Sequence, residues 1–301
     1  MSLKNNPWVQ AARIRTLPLS VSGIILGSFY ALSQSYFNWK ILGFGILTTI
    51  GLQVLSNYAN DYGDGVKGTD NDNRVGPKRA IQSGAITPEA MKTGIIITAL
   101  LTLFFAICLI YVAFSDEYLV YSLFFLALGI LAILSAVKYT VGKKAYGYFG
   151  FGDLFVFVFF GWVSVLGTYF LYTKQMDYLL VLPASALGFL SAGVLNLNNM
   201  RDVISDAQSQ KNTLVVKMGL ANAKIYHYSL LGVSILLTLL FAILYGFRID
   251  QYLFVLVFIP LVKHGITVYK NQEARLLDSE LKTLALSTFV LAILLSMCLI
   301  F

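Results

Sequence analysis

Nine continuous apolar stretches occupy most of this chain, each about as long as a helix that crosses a bilayer. They cover residues 17–33, 41–56, 94–114, 118–137, 154–172, 178–197, 225–247, 252–269 and 284–301. A hydrocarbon core of about 30 Å takes roughly 20 residues of helix at about 1.5 Å rise per residue. Strands of a membrane barrel run about 10 residues with alternating polarity. These stretches do not alternate, so the sequence predicts an all-α polytopic membrane protein of about nine transmembrane helices. The eighth stretch is interrupted by Pro260, Lys263 and His264 and is expected to be either kinked or half interfacial.

Composition excludes the main alternatives. Only 12% of the residues are charged and 57% are hydrophobic, with a mean hydropathy of +0.73. A soluble domain is about one-quarter charged; 22 basic and 15 acidic residues cannot clothe a core of this size. A soluble globule, a disordered chain and a basic nucleic-acid-binding face are excluded, so no nucleic-acid partner is expected. The net charge of +7 is then a matter of placement. With the amino terminus on the cytoplasmic side, all Lys and Arg except Lys40, Lys174 and Arg248 fall on that side, as the positive-inside rule requires.

Loop lengths divide the same way. The outer connections at 115–117 and 173–177 are turns, whereas those following stretches two, four, six and eight are about 14 to 37 residues long. Chemistry is expected on the cytoplasmic face, in cap loops over the bundle. The start, 1–15, carries Trp8, Arg13 and Arg15 on an amphipathic segment and reads as an interfacial helix leading into the first span rather than a cleaved signal. Cys108 and Cys298 lie inside apolar stretches and read as packing residues.

Six of the 15 acids fall in two short segments. The first holds Asn57, Asp61 and Asp64, continuing to Asp70 and Asp72; the second holds Asn198, Asp202 and Asp206. Both follow even-numbered stretches, and the same interval separates Asn57 from Asn198 and Asp61 from Asp202. A four-helix unit duplicated within a single domain over 1–301 is therefore expected, with acidic motifs at 57–64 and 198–206. Spacings of three and four residues project each set from one face of its helix.

Carboxylates at a helix carboxyl end oppose the macrodipole, and grouped like charges repel. A divalent cation removes both penalties, and a hard-oxygen set without His or Cys favours Mg²⁺, which takes one or two carboxylates plus substrate phosphates. Basic residues stand beside both clusters: Lys67, Arg74, Lys78 and Arg79 at the first, and Arg201, Lys211 and Lys217 at the second. Metals and cations together suit a diphosphate. A secondary transporter is the rival reading, since it too is built from repeats with matched polar residues; its ionisable groups, however, lie near the midplane.

Several motifs resemble the UbiA superfamily of intramembrane aromatic prenyltransferases. They are Asn57-x3-Asp61-x2-Asp64, Asn198-x3-Asp202-x3-Asp206, Ala12-Arg13-x-Arg15-Thr16-Leu17-Pro18, Gly76-Pro77-Lys78-Arg79, Tyr139-x2-Gly142, Tyr146-Gly147-Tyr148-x-Gly150-x-Gly152-Asp153, Phe159-Phe160-Gly161 and Lys211-x-Thr213. Their order is similar to that of the branch that prenylates 1,4-dihydroxy-2-naphthoate in menaquinone biosynthesis. The resemblance implies a UbiA-type bundle in the bacterial cytoplasmic membrane, in contact with membrane lipid, and Mg²⁺-dependent transfer from a polyprenyl diphosphate to that acceptor. Transfer to 4-hydroxybenzoate or homogentisate is the alternative within the family.

The resemblance further implies Asn57, Asp61 and Asp64 around one Mg²⁺, and Asn198, Asp202 and Asp206 around the other. It implies Arg74, Lys78, Arg79 and Lys211 as diphosphate cations, Tyr139 as a shield for the allylic cation, and Asp153 as a base or an orienter of the acceptor hydroxyl. This chain departs from the pattern at Gly68 and Ser205, where relatives carry acids, and at Ala145, where a proline is expected.

Overall fold

The computed structural model describes residues 6–70, 75–115 and 117–301. Among these there is no strand, and nine helices are long and apolar enough to cross a membrane. We number them α1 (Pro7–Ser33), α2 (Trp39–Val66), α3 (Pro88–Phe114), α4 (Leu119–Lys138), α5 (Gly152–Thr173), α6 (Tyr178–Arg201), α7 (Leu214–Tyr245), α8 (Ile249–Lys270) and α9 (Ala274–Ile300). Asp72 and Arg74 lie outside the described residues, as does Lys4.

The amphipathic start is helical and joins the first span through a break. Asn6 caps it by accepting from the Trp8 amide, Pro7 sits in the first turn, and the turn ends at Arg13, whose φ of 53° is left-handed. That conformation costs a non-glycine residue about 1–2 kcal/mol, and here it belongs to a residue that reaches a buried acid.

The helices outrun the apolar stretches on the side that carries the acids. A hydropathy count stops at the first charge, whereas the helix continues wherever polar side chains find partners inside the protein. Thus α2, capped by Asn38, continues to Val66, and Asn57, Asp61 and Asp64 are buried within it. The second motif does not lie on one helix face as its spacing suggests. Asp202 leaves helical geometry at φ −98° and ψ 12°, and Asp206 stands on a separate short helix, Val203–Gln208.

The connection between α8 and α9 is also shorter than expected, because α8 runs to Lys270 and α9 begins at Ala274. The eighth span opens with two 3₁₀ turns, Ile249–Gln251 and Leu253–Val257, but its α-helical part Phe258–Lys270 runs unbroken through Pro260, Lys263 and His264, because Pro260 falls in the first turn, where no intrahelical N–H is needed. His264, an interruption in the hydropathy pattern, is buried and satisfied. Its Nε2 lies 2.9 Å from His227 Nε2 and its Nδ1 lies 2.5 Å from Glu280.

The sixth helix is central, packing against α5, α7 and α9, while α1 closes on α9 and α2 on α3. A π-helical segment of α5, Phe157–Gly167, meets α6 at backbone distance. A Cβ on Gly161 would stand 2.7 Å from the Ala184 carbonyl oxygen and 2.9 Å from Gly188 Cα. Leu26, Leu180, Leu190 and Phe241 anchor the core. The fourth helix buries only Ala132, and its Leu123 and Phe124 point outward, as a lipid-facing helix does.

Candidate active site

Between the helices lies a cavity of about 400 Å³ with two contrasting parts. Its walls are apolar, with Leu52, Ile110, Phe125, Phe159 and Val163 among them; its polar end carries Asp64, Asp70, Asp202, Asp206, Asn57 and Asn198. The tertiary structure therefore brings the two acidic motifs to one mouth. Alternation of the spans puts that mouth on the same side as the chain start and the connections 67–87, 139–151 and 202–213.

Every motif acid has a cationic neighbour. Arg13 donates to Asp61 at 2.6 Å, and Arg79 stands 3.5 Å from the same oxygen. The other oxygen of Asp61 accepts from the Ala80 amide at 3.3 Å. Asp64 accepts from Lys211 at 3.1 Å and from the Tyr148 hydroxyl at 2.8 Å. Lys211 also lies 3.7 Å from Asp206, so a single ammonium joins the two motifs.

At the second motif, Arg201 donates to both oxygens of Asp202 at 2.9 and 2.6 Å, to Asn198 at 2.9 Å and to Asp278 at 2.7 Å. Asp278 in turn accepts from Arg15 at 3.4 Å. Asn57 donates to the Ala12 carbonyl at 2.9 Å, tying α2 to the chain start.

Charge on these cations follows from their surroundings. Burial works against the ammonium of Lys211, but Asp64 and Asp206 outweigh it and hold its pKa above the ordinary lysine value. Burial, reinforced by the nearby Arg13, pushes Arg79 down to about 10, against the pull of Asp61, Asp70 and Asp64. Burial raises the Tyr139 phenol.

Of the residues singled out in the sequence, Asp64, Asp202, Asp206, Asn57, Asn198, Arg79, Lys211 and Tyr139 line the cavity. Asp61 stands behind Arg13 and Arg79, buried at 1% exposure. Lys78 is exposed and away from the cavity lining. Asp153 is buried but does not line the cavity, and its Oδ1 has no hydrogen-bond partner. Asp70, offset in sequence from the expected acid, is buried at the mouth, 3.9 Å from Arg79. The sequence places Arg201 among the cations beside the second cluster and Arg13 and Tyr148 only as motif members without a role, and it does not single out Asp278. Opposite charge beside a motif was the available signal for Arg13, and membership of the Tyr146–Asp153 motif for Tyr148, whereas nothing local distinguishes Asp278.

No cluster of three or more His, Cys, Asp or Glu that would cage a metal occurs among the described residues. Mg²⁺ takes one or two carboxylates, keeps waters and completes its shell with substrate phosphate. The donor set, entirely hard oxygen from carboxylates and amides, is of the kind it selects.

The profile of the UbiA prenyltransferase family matches residues 20–288. The chain is 43% identical over 292 residues to 1,4-dihydroxy-2-naphthoate octaprenyltransferase of Haemophilus influenzae, covering 96% of this chain and 94% of that protein. It is 42% identical over 270 residues to the Escherichia coli protein of the same name, covering 90% and 87%. Among solved structures, a UbiA homologue from Archaeoglobus fulgidus bound to DMAPP and Mg²⁺ superposes with a TM-score of 0.68 at 12% identity, over 96% of this chain and 99% of that one. An apo UbiA homologue from Aeropyrum pernix has the same TM-score at 15% identity, over 96% and 98%.

Proposed function

The chain belongs to the UbiA prenyltransferase family, and we propose that it transfers a polyprenyl group from polyprenyl diphosphate to 1,4-dihydroxy-2-naphthoate. Carbon dioxide and diphosphate are released, and the product is the demethylmenaquinol of menaquinone biosynthesis. The observation that carries this reading is the two-part cavity, in which paired acids and fixed cations at one mouth meet apolar walls. A donor with a charged head and a hydrocarbon tail matches both parts.

Asn57, Asp61 and Asp64 would hold one Mg²⁺, and Asn198, Asp202 and Asp206 the other. When bound, Mg²⁺ supplies neutralisation of charge on the departing diphosphate. Arg79 and Lys211 bind the diphosphate oxygens that remain, positioned beforehand by the acids they now touch. The allylic C–O bond breaks with its electron pair leaving on the diphosphate, and fixed cations favour that charge as it develops. Tyr139, on the cavity wall, offers its π face to the allylic cation.

The ring carbon bearing the carboxylate then forms the new C–C bond, and loss of CO2 returns the bonding pair to the ring. No proton has to leave that carbon, so the step needs no base there, in keeping with Asp153 lying away from the cavity lining. The Lys and Arg bias supports the amino terminus and both motifs facing the cytoplasm, and the bacterial origin of the similar proteins supports a bacterial cytoplasmic membrane. The matched motifs support one domain built as a pseudo-repeat.

The test offers purified protein in lipid each of three acceptors, 1,4-dihydroxy-2-naphthoate, 4-hydroxybenzoate and homogentisate, with one prenyl diphosphate and Mg²⁺. Extracted lipid is weighed by mass spectrometry. A product from the naphthoate alone, lighter by CO2 than the simple adduct, is expected. A product only from another acceptor would overturn the acceptor assignment. Solute uptake by sealed vesicles without any prenylated lipid would favour a transporter.

A further inference from the structure

Tyr148 stands on the 3₁₀ turn Tyr146–Phe149 between α4 and α5, outside the cavity lining yet in contact with the acid at its mouth. Its hydroxyl has one proton, directed to Asp64 Oδ1 at 2.8 Å. The 2.6 Å contact with Thr69 is then donated by the threonine. The result is a directed chain from Thr69 through Tyr148 to Asp64. The opposite oxygen of Asp64 faces Lys211, so the carboxylate is held from both sides and its rotamer is fixed.

The ring is held as firmly as the hydroxyl. The Lys67 ammonium lies 3.8 Å from the ring centroid and donates to the Thr140 carbonyl at 2.7 Å. Lys211 lies 5.6 Å from the same centroid. The Tyr148 carbonyl accepts from the Asn212 amide at 3.2 Å, and the Phe149 carbonyl accepts from Lys217 at 2.8 Å. One turn therefore ties the end of α2 to the segment that delivers Lys211.

We propose that Tyr148 is a positioning residue for Asp64, presenting that carboxylate to the diphosphate-binding mouth and setting the reach between the two acidic motifs through Lys211. The inference rests on the reading of Asp64 as a group that binds the metal–diphosphate, and it adds a residue that touches neither. Such a residue acts on binding of the head group far more than on bond making once the donor is seated. A hydrogen bond to a charged group has the strength to change affinity about tenfold or more.

The test is Tyr148→Phe, which keeps the ring beside Lys67 and removes only the hydroxyl. Binding of a non-transferable geranyl thiolodiphosphate with Mg²⁺ is measured by calorimetry in nanodiscs. An affinity about tenfold weaker is expected, with kcat within about threefold and the unfolding temperature within about 2 °C of the parent. Affinity within twofold of the parent, or a loss carried mainly by kcat, overturns the proposal. The same substitution made in Asp64→Asn is expected to weaken binding by less than twofold further, because the residue acts through that carboxylate. A full additional loss in that background overturns it equally. If Asp64→Asn itself binds the analogue as the parent does, the metal–diphosphate reading of the site fails instead.

Discussion

Replacing Arg201 by Met tests the view that the acids of the second motif are held by a built-in counter-charge. Arg201 is 1% exposed at its side chain and Asp202 is 6% exposed, and both Asp202 oxygens accept from the guanidinium. Asp278, at 35%, retains water and Arg15 when the guanidinium is lost. The damage is therefore concentrated on Asp202, whose buried carboxylate loses the guanidinium that both its oxygens accept from. Removing one partner of such a pair costs about 3–5 kcal/mol, which for a chain of this size corresponds to a fall of about 6–15 °C in unfolding temperature.

Unfolding in detergent is followed with a thiol-reactive dye that reports exposure of the buried Cys298. The decisive comparison is Arg201→Met combined with Asp202→Asn. Removing the buried charge is expected to restore at least half of the loss, although the double variant has fewer polar contacts than the single one. A single variant within about 2 °C of the parent, or a double variant no more stable than the single, would refute the reasoning. Mg²⁺ is expected to stabilise Arg201→Met more than the parent, since the cation then no longer competes with the Arg201 guanidinium for that acid.

Three further outcomes follow from named contacts. Arg79→Ala is expected to raise the KM for the prenyl diphosphate about tenfold with little change for the acceptor, whereas Lys78→Ala, exposed and outside the cavity, stays within about twofold; equal effects would contradict the placement. Glu280→Leu removes the acceptor of the buried His264 Nδ1 and is expected to cost about 1–3 kcal/mol, with Glu280→Gln recovering part of it; an unchanged unfolding temperature for the leucine variant would contradict that. Gly161→Val places side-chain atoms against the backbone of α6 and is expected to cost about 1–3 kcal/mol in the same unfolding assay, a cost that parent-like unfolding would exclude.

The candidate site was legible in the sequence to the extent that its chemistry is written as local spacing. Asp61 and Asp64, or Asn198 and Asp202, sit at helical intervals beside apolar stretches, and that pattern is visible without coordinates. Lys78 and Arg79 are neighbours in the chain and look equivalent there, yet the turn that carries them sends Arg79 to Asp61 and leaves Lys78 exposed. Asp153 reads as a candidate acid beside a motif, but its place in the fold is away from the cavity wall. Asp206 has the interval of a third residue on one face, and the break at Asp202 moves it onto another helix.

What the sequence determined by itself is the class of fold and the two acidic motifs with cations beside them. Nine apolar stretches cannot be buried in any soluble core, so the bilayer dictates helices, and two acid clusters with adjacent cations call for a polyvalent anion and a hard metal. Only the tertiary structure decided which charges meet. Asp64 and Lys211 come from opposite halves of the chain, as do Arg15 and Asp278, and their pairing depends on how α1, α2, α6 and α9 close around one cavity. Helix formation is a matter of neighbouring residues and the solvent around them. Charge pairing falls with distance through space, and distance through space is set only when the helices pack.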